Sequence, residues 1–196
     1  MKAAAAKHAF QRAIEAYHAQ SELDPACPET SDGLERPFFQ KAWIDTVQWH
    51  LEDEIRRPDL SGPEVLALKR RIDALNQART DAVEALDRQL KSQLQPTTPP
   101  SGASALRTES LGWALDRLCI LQLKRYHMAE EVARGGDHAT RVAPRLEVLD
   151  RQSAHLEAAI DTLVEDVKAG TVAYVPYEQH KLYNDPDTNP ALYRVT

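Results

Sequence analysis

Apolar residues recur every three or four positions through most of this chain, the repeat of helices that bury one face. Phe10, Ile14 and Tyr17 mark a first helix over residues 2–22. After a loop containing Pro25, Pro28 and Gly33, Pro37 opens a second helix that stops before Pro58, with Trp43, Val47, Leu51 and Ile55 as its stripe. Ser61 and Glu64 have the spacing of a capping box, with Pro63 in the first turn. Val65, Leu68, Ile72, Leu75, Val83, Leu86 and Leu90 then run without a breaker to Pro96. At 1.5 Å per residue a helix of that span is ~48 Å long, a bundle helix rather than a short globular one.

Residues 95–107 are too rich in proline for regular structure. Thr108 is the expected cap of a fourth helix, whose run from Leu111 to Leu123 is apolar almost all round. Gly135 and Gly136 end it. A fifth helix carries Val142, Leu146, Leu149, Ser153, Leu156, Ile160, Leu163 and Val167 to Gly170, with Pro144 in its first turn or kinking it. Val172, Tyr174, Val175 and Tyr177 then offer apolar surface to an extended tail that is ordered against the body. The expected fold is all-α: an antiparallel bundle of about five helices with an extended C-terminal tail. It forms a single domain over 1–196, divided into an N-terminal helix and loop (1–36), a core (37–170) and a tail (171–196).

Totals narrow the functional classes. The 196 residues carry a formal charge of −6, which argues against a broad grip on nucleic acid or anionic lipid. Neither a leader-like apolar segment nor a run near the ~20 residues of a membrane span occurs. Cys27 and Cys119 form neither a disulfide framework nor a zinc motif, so a cytoplasmic setting is the default. No phosphate-cradling glycine loop, nucleophile elbow or His-Glu-x-x-His motif is present, and no cofactor is indicated.

Chemistry should show as polar groups on faces that ought to be apolar. His50 and Glu54 lie one turn apart beside the second helix's stripe. They read either as a His–carboxylate pair for proton transfer or as a solvated helix-end pair. The third helix meets Asn76 and Arg79 where its stripe should continue, with Asp73 and Asp81 flanking. An inward arginine must be paired or face a cavity. It either holds a carboxylate or phosphate or belongs to an internal network that sets register. On the fourth helix Asp116 and His127 share a line, but eleven residues put them ~16 Å apart, too far for one small ligand. Arg117, Lys124 and Glu131 form a separate strip. A metal set of His50, Glu54, Asp73 and His127 is conceivable, without local signature.

Four segments together resemble a known family. They are Trp49-His50 through Glu52-Asp53; Lys69 to Asp73 with Asn76, Gln77 and Arg79; Asp116-Arg117-Leu118 running to Tyr126-His127-Met128; and Lys181 to Pro186 with Asn189-Pro190. In order and spacing, over about residues 38–193, they resemble the bacterial domain-of-unknown-function family numbered 4254. The resemblance implies a helical cytoplasmic protein, often encoded beside glycosyltransferase and envelope-polysaccharide genes, with no established reaction. It adds weight to one site built from His50, Asp73, Asn76, Arg79, Asp116, Lys124, His127 and the Lys181–Asp185 tail. The alanine-rich start and proline-rich linker depart from the family and read as additions of this chain.

Three functions compete. The first is a site for a small anionic metabolite, a sugar nucleotide or phosphosugar, between helices two, three and four with the tail as lid. Arg79, Arg71 and Lys124 would supply charge, and Asn76 and Tyr183 hydrogen bonds. Asp116, Lys181, Asn184 and Asp185 are further binding candidates, and His50, His127 and Asp73 the catalytic ones. The second is a scaffold that dimerises through its long third or fifth helix. The third is a metal-dependent nucleotide hydrolase.

Overall fold

The computed structural model describes residues 1–28, 35–94, 104–180, 185 and 187–193. Five long helices dominate: α1 (Ala3–His18), α2 (Arg36–Glu54), α3 (Gly62–Gln93), α4 (Leu111–Arg134) and α5 (Asp137–Lys168). A single turn, α6 (Pro190–Tyr193), follows in the tail. The fold is all-α. Among the described residues the one extended pairing is an isolated bridge between Ala105 and Val172.

Cross-helix contacts fix the directions. Gln122 meets Ser153 and Arg125 meets Asp150, so α4 and α5 run antiparallel. Gln48 with Asn76 and Asp45 with Arg79 make α2 and α3 antiparallel, and Arg79 with Asp116 and Asp87 with Gly112 do the same for α3 and α4. The first helix differs. Phe10 packs on Phe38 and His18 on His50, so α1 runs parallel to α2, and Gln11 to Gln122 with His18 to His127 set it parallel to α4. Three helices therefore point one way (α1, α2, α4) and two the other.

Local chemistry explains most boundaries. The Glu64 carboxylate accepts from the Ser61 backbone N–H at 2.8 Å and its hydroxyl at 2.6 Å, which starts α3 at the expected position. The cap of α4 is Ser110 rather than Thr108: its hydroxyl accepts from the Trp113 N–H at 3.4 Å. Helix α5 begins at Asp137, five residues before Val142, so Pro144 lies inside it beyond the first turn.

The core is continuous along α1, α2 and α4. Ala3, Ala6, Ala9 and Ala13 are buried, so the alanine-rich start is a packing face whose small side chains admit close neighbours, not an appendage. At the other extreme Val65 and Leu66, in the first turns of α3, are 37% and 50% exposed. The stripe continues there, but none of the described helices covers it.

The tail docks on two α3 carboxylates, Glu84, which accepts from the Gln179 N–H at 2.9 Å, and the buried Asp87. Asp87, 1% exposed, accepts from the Ser110 hydroxyl, the Gly112 N–H at 2.7 Å and the Tyr174 hydroxyl at 2.7 Å. A Cβ on Gly112 would sit 2.7 Å from the Asp87 Cγ and 2.8 Å from the Val83 carbonyl oxygen. Glycine is required there for α3 and α4 to approach. Beyond Tyr174, the Tyr177 hydroxyl donates to the Arg107 carbonyl at 2.9 Å and the Trp113 indole to the Tyr177 carbonyl at 3.2 Å. The tail is thus ordered and extended through residues 172–180. The proline-rich span 95–103 falls outside the described residues.

Candidate functional site

The break in the α3 stripe at Arg79 sits at the centre of a four-membered ionic network. The guanidinium donates to both oxygens of Asp116 at 2.9 and 2.6 Å, a fork geometry specific to arginine. The other Asp116 partner is Lys41, at 2.7 Å, which also pairs with Asp45 one turn along α2. Asp45 lies 3.5 Å from Arg79. Lys41 is 0% and Asp45 3% exposed. Two cations and two anions balance, as buried charge requires.

The environment holds these groups in definite states. Burial would lower the Lys41 ammonium, but the fields of Asp45 and Asp116 outweigh it and raise it. Burial pushes the Asp45 carboxyl up, with Lys41 opposing. For Asp116 burial also pushes upward, yet the Arg79 hydrogen bonds and Lys41 win and hold it below the usual carboxylate range. Cys119 is fully buried beside them, and burial raises its thiol well above normal, so it is an inert filler rather than a nucleophile.

The network is not sealed. The Arg79 side chain keeps 29% of its surface. With Asp116 it forms the inner end of a cleft of about 650 Å³ between α4 and α5. Arg117 and Lys124 line one wall, and Ile120, Leu121, Leu149 and Leu156 supply apolar surface. Arg117 pairs with Glu109 at 2.9 Å; Lys124 is exposed and has no ion pair among the described residues. A smaller cavity of about 390 Å³ shares Asp116 and Arg117 and is bounded by Trp113, Tyr177 and Gln179, which brings the ordered tail beside the cleft.

Of the sequence candidates, the structure gathers Arg79, Asp116 and Lys124 along the α4–α5 cleft, and Arg79 also lines a smaller cavity of about 190 Å³ between α2, α3 and α4, with Asp45, Gln48, Trp49, Glu52 and Ile120. Asn76 lies one turn away and accepts from Gln48 at 2.9 Å. Arg71 is half-exposed and forks Asp24 at 2.5 and 2.7 Å, away from the cleft. Asp73 pairs with Lys69 on the exposed flank of α3, and Glu54 with Arg57 at 2.6 Å. Asp185 lies in a turn, its carboxylate accepting from the Asp187 N–H at 2.9 Å. Lys181, Tyr183 and Asn184 lie outside the described residues.

His50 and His127 form a second locus at the far end of the same helices. Glu54 and Asp73 do not join them; His18, the last residue of α1, does. Three participants went unseen in the sequence. Lys41 and Asp45 look like an ordinary exposed i,i+4 pair. His18 follows Tyr17 at the end of an apolar face, and its four-residue spacing from Ile14 was the available signal.

An all-α bundle with a balanced buried ion network opening on a cationic cleft is the class of protein that fold and site define. Residues 35–175 match the family model described as a protein of unknown function, DUF4254. The chain belongs to that family. Helix α1 and the segment Lys181–Pro190 lie outside the matched span. No curated protein and no solved structure matches the chain.

Proposed function

We propose that the chain binds a small anionic metabolite of the sugar-nucleotide or phosphosugar class in the α4–α5 cleft. The observation that carries this reading is the gathering of Arg79, Arg117 and Lys124 around one concavity in a chain whose formal charge is −6. Arg79 and Arg117 already have carboxylate partners in Asp116 and Glu109, but exposed Lys124 has no ion pair among the described residues, and an anionic group in the cleft supplies its partner. A volume near 650 Å³ is in the range of small-molecule sites, roughly 300–1,000 Å³. The apolar wall suits a ring while the cationic wall takes phosphate. Asp116 fixes the Arg79 fork in advance, which lowers the ordering cost of binding.

The test is a thermal-shift screen of the whole chain against sugar nucleotides and phosphosugars, with the neutral parent sugars as controls. A ligand at a hundredfold excess over its Kd adds about 2.7 kcal/mol, or roughly 5–10 °C in Tm for a chain of this size. Equal response to phosphorylated and neutral sugars overturns the reading. A dimeric scaffold is the second reading, supported by exposed Val65 and Leu66 on α3 and Val148 on α5. Sedimentation over a wide concentration range separates the two: a monomer throughout removes the scaffold.

A further inference from the structure

We propose that His18, His50 and His127 form a mononuclear site for a divalent transition-metal ion of the zinc class, with a fourth position open to water. The three imidazoles stand at the C-terminal end of α1 and in the C-terminal halves of α2 and α4, the three helices that run parallel. Their ring centroids are 4.9, 5.1 and 5.2 Å apart, and their planes cross at 67°, 68° and 69°. That is a near-threefold propeller. Three imidazoles bound to one tetrahedral zinc at about 2.0–2.1 Å have ring centroids roughly 5 Å apart. One nitrogen from each ring lies within 4.8 Å of the others.

The hydrogen bonding leaves the correct lone pairs free. The His18 Nδ1–H donates to the Ile14 carbonyl at 2.7 Å, the arrangement that orients a metal-bound histidine and fixes its tautomer. In the neutral ring the lone pair is then on Nε2, which faces the His50 Nε2 at 3.0 Å. The His127 Nε2 is buried without a hydrogen-bond partner among the described residues, a cost that a closed structural cluster would have no reason to bear. A metal ion satisfies all three rings when the His50 proton moves to Nδ1, with no net proton release.

Each ring is backed by an aromatic neighbour: Tyr17 stacks on His50 (4.8 Å), Trp49 on His127 (5.1 Å) and Tyr126 leans on His18 (4.2 Å). This packing sets ring orientation before any ion arrives. All three remain half-buried rather than sealed, which leaves solvent access for the fourth position. Three neutral imidazoles favour zinc, cobalt or nickel over magnesium or calcium.

Cobalt(II) titration of the chelator-stripped full chain tests the site. One ion per chain, the intense visible bands of four-coordinate cobalt, and three hyperfine-shifted imidazole N–H proton signals are expected, with Kd tighter than about 1 μM. H18Q, H50Q and H127Q should each weaken binding at least tenfold, and zinc should raise Tm in wild type but not in the triple variant. His8→Gln, an exposed histidine elsewhere on α1, should change nothing. Circular dichroism without metal checks that each variant folds. The wild-type spectrum decides alone if one does not. A six-coordinate spectrum, fewer than three imidazole signals, or undiminished binding in the triple variant overturns the site and leaves a closed imidazole–aromatic cluster.

Discussion

Lys41 and Asp116 are partners across α2 and α4 at 2.7 Å, and neither can lose the other without stranding charge in the core. Lys41→Met leaves Asp45 and Asp116 with Arg79 alone and should destabilise the fold by about 3–5 kcal/mol. Removing Lys41 and Asp45 together, as K41M/D45L, keeps the Arg79–Asp116 fork and restores balance, so this double variant should lie near or above wild-type stability. Urea midpoints at unchanged m value measure both. A double variant as unstable as the single one would show that the network acts through packing rather than charge.

Asp116 makes part of this stability dependent on pH. Its carboxyl is held below the ordinary value by Arg79 and Lys41 despite burial. A depressed carboxylate stabilises the folded state above the unfolded value near 3.8 and loses that contribution as pH falls through the lower folded value. The stability gap between wild type and Asp116→Asn should therefore be widest at neutral pH and shrink as acid protonates Asp116. A gap unchanged into that acid range would contradict the assignment.

The cleft separates binding from stability at Lys124. That side chain is exposed and has no ion pair among the described residues, so Lys124→Glu should alter unfolding free energy by no more than about 0.5 kcal/mol. It should weaken a phosphorylated ligand at least tenfold, read by calorimetry. Loss of stability without loss of affinity would place the anion elsewhere.

Close approach of α3 and α4 rests on Gly112. Gly112→Ala forces a methyl against Asp87 and the Val83 carbonyl and should cost about 1–3 kcal/mol. Tyr174→Phe removes one donor from the same carboxylate, at about 1 kcal/mol, and should raise hydrogen exchange in residues 172–177 before it affects the bundle.

The repeat of three and four carried nearly all of the fold, since burial of one face dictates it locally. Helix α3 matches its expected span because Ser61, Glu64 and Pro63 define its start chemically. Direction was harder. A long loop between α1 and α2 permits either orientation, and only contacts such as Phe10 on Phe38 settle that they run parallel. Arg79 was legible because a cation interrupts an apolar stripe. The second cation of the network, Lys41, was not, because α2 is buried nearly all round at that level and its polar residues resemble a solvated face. His18 was marked only by its four-residue spacing from Ile14, and the rings it meets, His50 and His127, lie far away in sequence.

Helix α1 has a consequence for anyone cutting this protein to the span that defines its family. Excision at residue 35 would discard Phe10, Ile14 and Tyr17, all buried, and lay bare a greasy trough along α2 and α4. Such a fragment should aggregate when expressed alone and recover on adding a synthetic peptide of residues 1–28.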